Sequence, residues 1–179
     1  GPNDWLAAAD LIDWSAMPRI DVDTGDAPFC RWYPDGRLNT CHNALDRHVQ
    51  AGRGDVAALI FDSAMTGERR RYSYAELRDE VARVAGMLRG MGVGKGDRVL
   101  IYMPLVPEAV MAMLACARLG AVHSVVFGGF AAPELAKRIV DAQPVIIVTA
   151  SCGLEPARVV EYLPIIAQAQ AIAGSAVPR

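Results

Sequence analysis

From residue 55 onward, short apolar runs rich in β-branched residues alternate with segments of helical periodicity. The apolar runs predict strands at 56–61, 98–102, 122–126 and 145–149. The periodic segments predict helices at 74–90, 107–119, 133–142 and 158–170. Continuously apolar strands that alternate with helices form a parallel sheet with both faces covered. The sequence therefore predicts the α/β class, as a three-layer parallel sheet flanked by helices.

Capping residues mark the bounds of three of these helices. Ser73 and Glu76 have the spacing of a capping box before the first helix. Pro107 opens the second helix and Gly120 closes it, and Pro133 opens the third. Proline suits the first turn because its missing N–H has no helical partner there, and glycine readily adopts the left-handed conformation that ends a helix.

Residues 3–52 lack this alternation and are rich in aromatic and turn residues. Their tryptophans, phenylalanine and tyrosine are spaced among prolines and glycines. We interpret the segment as an irregular N-terminal arm that packs its aromatics on a larger body and contains a short helix near 42–51. The predicted organisation is thus an arm at 3–52 followed by an α/β subdomain at 53–179.

Charge and cysteine content narrow the function classes. The net charge is −2, lysine and arginine are scattered, and no apolar run reaches the roughly 20 residues that span a bilayer. We therefore expect neither nucleic-acid nor membrane partners. The four cysteines lack the spacing of a zinc site or a disulfide framework, which favours a reducing compartment, the cytoplasm or the mitochondrial matrix. His42 and Asp46 could share a metal ion, but no third ligand is evident, so no metal is expected.

Residues 88–104, LRGMGVGKGDRVLIYMP, have the glycines and lysine of many phosphate-binding loops. This loop follows a helix and precedes a strand, so it lies at the amino edge of the sheet. Ligands of open α/β sheets bind instead beyond the carboxyl ends of the strands. The Walker pattern also fails, because Lys95 is followed by Gly96 and not by a hydroxyl residue. We interpret the loop as a helix C-cap and turn.

Two other loops have the polarity that a ligand site needs. In VVFGGFAAPELAKRIV (125–140), a strand runs into Phe127, Gly128 and Gly129, and a helix follows. The glycines would let a ligand approach the backbone, and Phe127 or Phe130 offers a flat face for a purine. In TASCGLEPARVV (149–160), the chain is expected to lead into the next helix and to bring Arg158 to the same edge, where a phosphate could meet a guanidinium and a helix N-terminus. Spacing alone leaves open whether this is a nucleotide-type site or two ordinary turns.

Longer stretches resemble a known family. KGDRVLIYMPLVPEAVMAMLACARLGAVHSVVFGGF (95–130) resembles the N-terminal region of short-chain acyl-CoA synthetases, the adenylate-forming acetyl- and propionyl-CoA synthetases. RWYPDGRLNTCHNALDRHV (31–49) resembles the linker that wraps their large domain, and TASCGLEPARVVEYLP (149–164) looks closer to the propionyl-CoA synthetases. The resemblance covers about residues 5–170. It implies the N-terminal subdomain of the adenylate-forming synthetase fold.

The resemblance also implies a reaction and a site. In this family a carboxylate attacks ATP to give an acyl-adenylate and pyrophosphate, and the thiol of coenzyme A (CoA) then displaces AMP. CoA would rest on Phe127, Gly128 and Gly129 and on Arg158. Acetate-activating relatives carry two arginines three apart in the last loop, whereas this chain has Glu155 and Arg158. Phosphate contact there is therefore expected to be weaker or differently arranged.

Other family motifs are missing from the sequence. The Ser/Thr/Gly-rich loop ending in Lys-Gly and the later motifs for adenine, ribose and magnesium do not occur in it. A further strand would be expected where the sequence stops, so we expect the N-terminal fragment of a longer ligase, with CoA, ATP and magnesium as substrates of the full-length enzyme. No catalytic residue, no tightly bound cofactor and no activity are expected of the fragment alone, and self-association through the truncated sheet is expected. The alternatives are a stand-alone CoA- or nucleotide-binding module and an acetate-activating ligase.

Overall fold

The computed structural model describes residues 4–174, which form five helices and nine strands. The helices are α1 (Asp4–Ala9), α2 (Tyr74–Gly90), α3 (Pro107–Leu119), α4 (Ala132–Ala142) and α5 (Tyr162–Ala173). The strands are β1 (Val22–Asp26), β2 (Phe29–Trp32), β3 (Ala57–Asp62), β4 (Arg69–Ser73), β5 (Arg98–Met103), β6 (Val122–Phe127), β7 (Ile146–Thr149), β8 (Cys152–Glu155) and β9 (Arg158–Glu161). Two short π-helical segments, His42–Asp46 and Val49–Arg53, precede β3.

The centre of the fold is a parallel sheet of β6, β5 and β7, in that order. β5 lies in the middle, where Val99 pairs with His123 of β6 and with Ile146 of β7. Its four central residues, 99–102, are fully buried. A central strand that is buried on both faces is apolar throughout and does not alternate with polar residues. This burial explains the continuous apolar run that predicted a strand at 98–102.

Side-chain alternation along β5 divides the core into two layers. Val99 and Ile101 belong to the cluster formed with α2 and α3. Leu100 and Tyr102 belong to the cluster formed with α4 and α5. Because successive side chains of a strand point to opposite faces, one strand supplies both layers. The three-layer α/β architecture is therefore confirmed.

The helix ends that carry capping residues lie where they were predicted. The hydroxyl of Ser73 accepts the Glu76 N–H at 3.2 Å, and the Glu76 carboxylate accepts the Ser73 N–H at 2.8 Å. α3 begins at Pro107 and ends before Gly120, whose backbone is left-handed. Local chemistry determines these bounds, which is why the sequence alone located them.

Two predicted elements differ from the structure. The strand predicted at 56–61 is present as β3, but it pairs with β4 in a separate antiparallel hairpin and does not join the parallel sheet. The helix predicted at 158–170 begins at Tyr162 instead, after an antiparallel hairpin of β8 and β9. β-branched Val159 and Val160 favour extended backbone, and Pro164 fits the first turn of a helix that starts at Tyr162.

The N-terminal arm is more ordered than predicted, and its aromatic side chains contact one another. β1 and β2 form a hairpin, Trp5 packs edge-on against Trp32 with ring centroids 5.2 Å apart, and Trp14 packs against Tyr33. Trp5 and Trp32 both remain about half exposed. These two rings therefore pack on each other, and the packing of the arm's aromatics on a larger body stays a prediction.

Polar contacts near residues 39–46 attach the arm to the body. The Asn39 amide donates to the carbonyl oxygens of Ala117 and Arg118 at 3.3 and 3.0 Å, in the last turn of α3, where carbonyls lack helical partners. Arg118 also donates two hydrogen bonds to the Asp46 carboxylate, at 3.2 and 2.8 Å. The predicted helix near 42–51 is confirmed as the π-helical stretch. The predicted bounds 3–52 and 53–179 include residues 3 and 175–179, which lie outside the described residues.

Candidate functional site

The loop after β6 and the hairpin after β7 lie at the carboxyl edge of the parallel sheet. Met103, the last residue of β5, pairs with Phe127, and Tyr102 pairs with Thr149, so the three strands end together. Residues 128–131 and the β8–β9 hairpin both follow directly from these ends. This edge is where open α/β sheets bind ligands.

Tyr162, the first residue of α5, joins the two loops. Its ring packs edge-on against Tyr102, with centroids 4.9 Å apart, and its backbone N–H donates to Ser151. A Cβ atom added at Gly128 would lie 2.5 Å from the Tyr162 hydroxyl, and one added at Gly153 would lie 2.6 Å from it. Both positions therefore need glycine because the Tyr162 ring fills the space between the loops.

Burial affects the ionisation of both tyrosines in this pair. Burial raises the pKa of Tyr162, and the Glu155 carboxylate adds to that effect. Burial also raises the pKa of Tyr102, whose hydroxyl donates to the Phe130 carbonyl at 2.6 Å. The pair thus attaches the glycine loop to the sheet and to α5, and it carries no charge near neutral pH.

A groove of about 350 Å³ opens beside this pair. It is lined by residues 129–132 of the glycine loop, by residues 158–161 of β9, and by Ile165 and Gln168 of α5. Its volume is at the lower end of the range for small-molecule sites, about 300–1,000 Å³. Seven of its ten lining residues are apolar or glycine, and the other three supply a guanidinium, a carboxylate and an amide.

The four predicted site residues do not contribute equally to the groove. Gly129 and Arg158 line it. Phe127 is 67% exposed and packs edge-on against Phe130, which is itself a lining residue. Gly128 lies beneath the loop, against Tyr162 and the Met103 carbonyl. Packing alone accounts for glycine at that position.

Arg158 differs in setting from the prediction. It lies at the start of β9, because the hairpin replaces the first turn of the predicted helix, and it lines the groove together with Ala131 and Ala132 at the N-terminus of α4. Its Nε donates to the Glu155 carboxylate at 2.8 Å, and this hydrogen bond raises the pKa of the guanidinium. Arg158 therefore remains a cation, but a carboxylate of the chain already contacts it.

The other sites considered from the sequence are structural. His42 contacts Asp13 at 3.1 Å, whereas Asp46 binds Arg118, so this pair does not converge on a metal. Among residues 4–174, no three His, Cys, Asp or Glu side chains are grouped to hold a metal ion. The glycine loop before β5 is a turn, with Gly92 and Gly96 at φ of 92° and 85°. A second cavity, of about 240 Å³, is lined by residues of β4 and α2.

Comparison with protein families decides which fold family this is. Residues 45–177 match the model of the AMP-binding enzyme family, and residues 5–44 match the acetyl-coenzyme A synthetase N-terminus. The chain belongs to the AMP-binding enzyme family. Both matches agree with the resemblance seen in residues 31–49 and 95–130.

Individual relatives give the same result. The chain is 58% identical over 169 residues to an uncharacterized protein of Pseudomonas aeruginosa, covering 94% of the chain and 27% of that protein. It is 46% identical to the human mitochondrial acyl-CoA synthetase short-chain family member 3, over 92% of this chain and 24% of that protein. It is 48% identical to the propionate–CoA ligase of Escherichia coli, over 88% of this chain and 25% of that protein. The chain thus spans about a quarter of the length of these relatives.

A solved structure supports the fold. The acetoacetyl-CoA synthetase of Streptomyces lividans superposes with a TM-score of 0.79 at 29% identity, over 94% of this chain and 25% of that one. The α/β fold with a parallel sheet flanked by helices therefore matches part of an acyl-CoA synthetase.

Three parts of the site do not follow from the sequence analysis: the position of Tyr162 as the first residue of α5, the side chain of Gln168 in the groove lining, and the β8–β9 hairpin. The position of Pro164 was the available signal, because proline belongs in the first turn of a helix and so indicates a start near residue 162. Nothing local indicates that Tyr162 packs against Gly128, since that contact depends on how α5 docks on the sheet.

Proposed function

We propose that this chain provides part of the CoA-binding surface of an ATP-dependent acid–CoA ligase that activates propionate. The observation that carries the proposal is the groove at the carboxyl edge, which both loops line and which holds Arg158. Family membership supports the reaction class, and the similarity to a propionate–CoA ligase supports the acid.

The proposed reaction has two steps. A carboxylate oxygen attacks the α-phosphorus of ATP, which releases pyrophosphate and leaves an acyl-adenylate. The CoA sulfur then attacks the acyl carbon, and AMP leaves with the electron pair of the broken C–O bond. ATP, with magnesium, and CoA are the substrates, and no tightly bound cofactor is proposed for this chain.

The groove suits one end of CoA. Phe130, with Phe127 packed against it, offers an aromatic face for the adenine, and Arg158 offers a guanidinium for a phosphate. Gly129 lines the groove with exposed backbone, so a ligand can approach closely there. The volume of about 350 Å³ limits this contact to part of the molecule.

Calorimetric titration of the 179-residue chain with CoA tests this binding, with ATP and NAD for comparison. Of the three ligands only CoA is expected to bind, and Arg158→Ala or Phe127→Ala is expected to weaken that binding. Arg83→Ala and Phe29→Ala are matched controls. Arg83 also pairs with a glutamate three residues away, and Phe29 is equally exposed but lies in the arm. A folded chain that shows no heat with CoA would contradict the proposal.

The chain alone is proposed to lack the adenylation step. It spans about a quarter of its relatives, and the Ser/Thr/Gly-rich loop ending in Lys-Gly does not occur in its sequence. With ATP, magnesium and propionate it should therefore release no pyrophosphate above background. Sustained pyrophosphate release that scales with the amount of chain would refute this.

Acetate is the second candidate acid, because residues 5–44 match the acetyl-coenzyme A synthetase N-terminus. Comparison of kcat/KM for propionate and acetate in the full-length ligase separates the two. A higher value for propionate supports the first assignment, and a higher value for acetate replaces it.

We also propose self-association and a reducing compartment. β6 has a strand partner on one side only among the described residues, and Val122, Val125 and Phe127 on it are exposed. Such an edge is a template for pairing with a second copy. A single monomeric species in sedimentation at high concentration would contradict this.

All four cysteines are free, which favours the cytoplasm or mitochondrial matrix. No helix within residues 4–174 is long and apolar enough to cross a membrane.

A further inference from the structure

The charge of the groove is unusual for a site that receives a phosphate. Of the described residues that line it, Arg158 is the only lysine or arginine, and Glu161 adds a carboxylate. Glu155, just outside the lining, accepts a hydrogen bond from Arg158 Nε at 2.8 Å. The groove and its immediate surroundings therefore carry one positive charge, on Arg158, and two negative charges, on Glu161 and Glu155.

The Glu155–Arg158 contact follows from the hairpin itself. The two residues are the last cross-strand pair of β8 and β9, and Pro156 and Ala157 join them. Residues directly opposite on antiparallel strands have neighbouring side chains, so Glu155 stays beside Arg158 whenever the hairpin is formed. A ligand phosphate that approaches Arg158 must displace this carboxylate or lie close to it.

The pair is strong enough to compete with a ligand and weak enough to be displaced. The Arg158 side chain is 66% exposed and that of Glu155 is 41% exposed. Ion pairs this open to water are individually weak, because solvent and salt screen them. Replacing Glu155 by a neutral residue should therefore change phosphate affinity severalfold and not by orders of magnitude.

We propose that Glu155 is a specificity-determining residue that competes with the ligand phosphate for Arg158. It thereby weakens the preference of the groove for CoA over 3′-dephospho-CoA, which lacks only the phosphate on the ribose. This inference rests on the proposed function, since it assumes that the groove binds CoA.

The test measures dissociation constants for CoA and 3′-dephospho-CoA in the wild-type chain and in Glu155→Gln. Glutamine keeps an oxygen that can accept from Arg158 and removes only the charge. The ratio of the two constants should shift about fivefold in favour of CoA, with the constant for 3′-dephospho-CoA nearly unchanged. Glu155→Arg should shift it further in the same direction.

Glu134→Gln is the matched control. Glu134 also forms an exposed pair with a cation three residues away, Lys137, but on α4 and outside the groove lining. The Glu134→Gln substitution removes the same charge and should leave the ratio of the two dissociation constants unchanged. A shift of equal size in Glu134→Gln would show a general charge effect and overturn the proposal.

The remaining outcomes separate this inference from the proposed function. If wild-type chain binds CoA but Glu155→Gln leaves the ratio unchanged, the inference is wrong and CoA binding stands. If both dissociation constants rise together, Glu155 acts by stabilising the hairpin, and the inference is again wrong. If neither ligand binds to either protein, both proposals fail.

Discussion

The two glycine loops of this chain look alike in the sequence but need glycine for opposite reasons. In the turn before β5, Gly92 and Gly96 have φ of 92° and 85°, and an added Cβ atom would meet no atom within 4 Å. After β6, a Cβ atom added at Gly128 would lie 2.5 Å from the Tyr162 hydroxyl and 2.9 Å from the Met103 carbonyl oxygen. The first loop needs glycine for its backbone conformation, and the second needs it for space.

This difference explains which loop could be understood from the sequence. A left-handed turn between a helix and a strand is a local event, and its glycines mark it directly. The space at Gly128 depends on Tyr162, which belongs to another element far along the chain. The loop at the carboxyl edge is therefore the one whose structure depends on long-range packing.

The largest effect is expected at the residue that joins the two carboxyl-edge loops. Tyr162→Ala removes a buried ring that contacts Tyr102 and both glycine positions, so the free energy of unfolding should fall by about 4 kcal/mol. Urea denaturation followed by circular dichroism measures this. Tyr162→Phe keeps the ring, so its free energy of unfolding should fall much less. An equal fall in both variants would mean that the hydroxyl, and not the packing of the ring, joins the loops.

A smaller loss is expected for Gly128→Ala. The added methyl group meets the Met103 backbone, which cannot move without disturbing β5, so unfolding should become easier by about 2 kcal/mol. Gly129→Ala is the control, because the atoms nearest to its Cβ atom would be those of the Phe127 ring, which is exposed and can turn away. Equal stability of Gly128→Ala and wild type in the same denaturation experiment would contradict the packing account.

The smallest change in the free energy of unfolding is expected for a glycine substitution in the turn before β5. Gly92→Ala places a side chain in a left-handed conformation without any clash, and it should cost about 1 kcal/mol. Gly86→Ala is the matched control, since Gly86 lies within α2, is exposed and has open space around it. Alanine there should instead stabilise the chain, by about 0.5 kcal/mol. Thermal unfolding of both variants checks the opposite signs, and equal signs would contradict the conformational explanation.

Much of the fold could be predicted because its signals are local. The capping box at Ser73, the Pro107 and Gly120 bounds of α3 and the apolar run of β5 all act within a few residues. The strand at 56–61 is predicted correctly but its pairing is not, because strand periodicity does not specify the partner strand. Only tertiary structure decides that pairing.

The candidate site was less predictable than the fold. The polarity of the strands placed Gly129 and Arg158 at one edge, and the structure lines a single groove with both. The hairpin that carries Arg158, and the Glu155 carboxylate that pairs with it, were not foreseen as a structural unit. Short segments with a turn and two β-branched residues are ambiguous between helix and strand, which explains the error at residues 152–161.

The account's central claim is that the carboxyl-edge groove, and not the glycine turn before β5, is where CoA binds. The most direct test is a titration of the ¹⁵N-labelled chain with CoA, followed by amide chemical shifts. The account predicts shifts at Gly129, Val160 and Gln168, and none at Gly92 or Gly96. Shifts confined to the turn before β5, or no shifts at all in the folded chain, would contradict it.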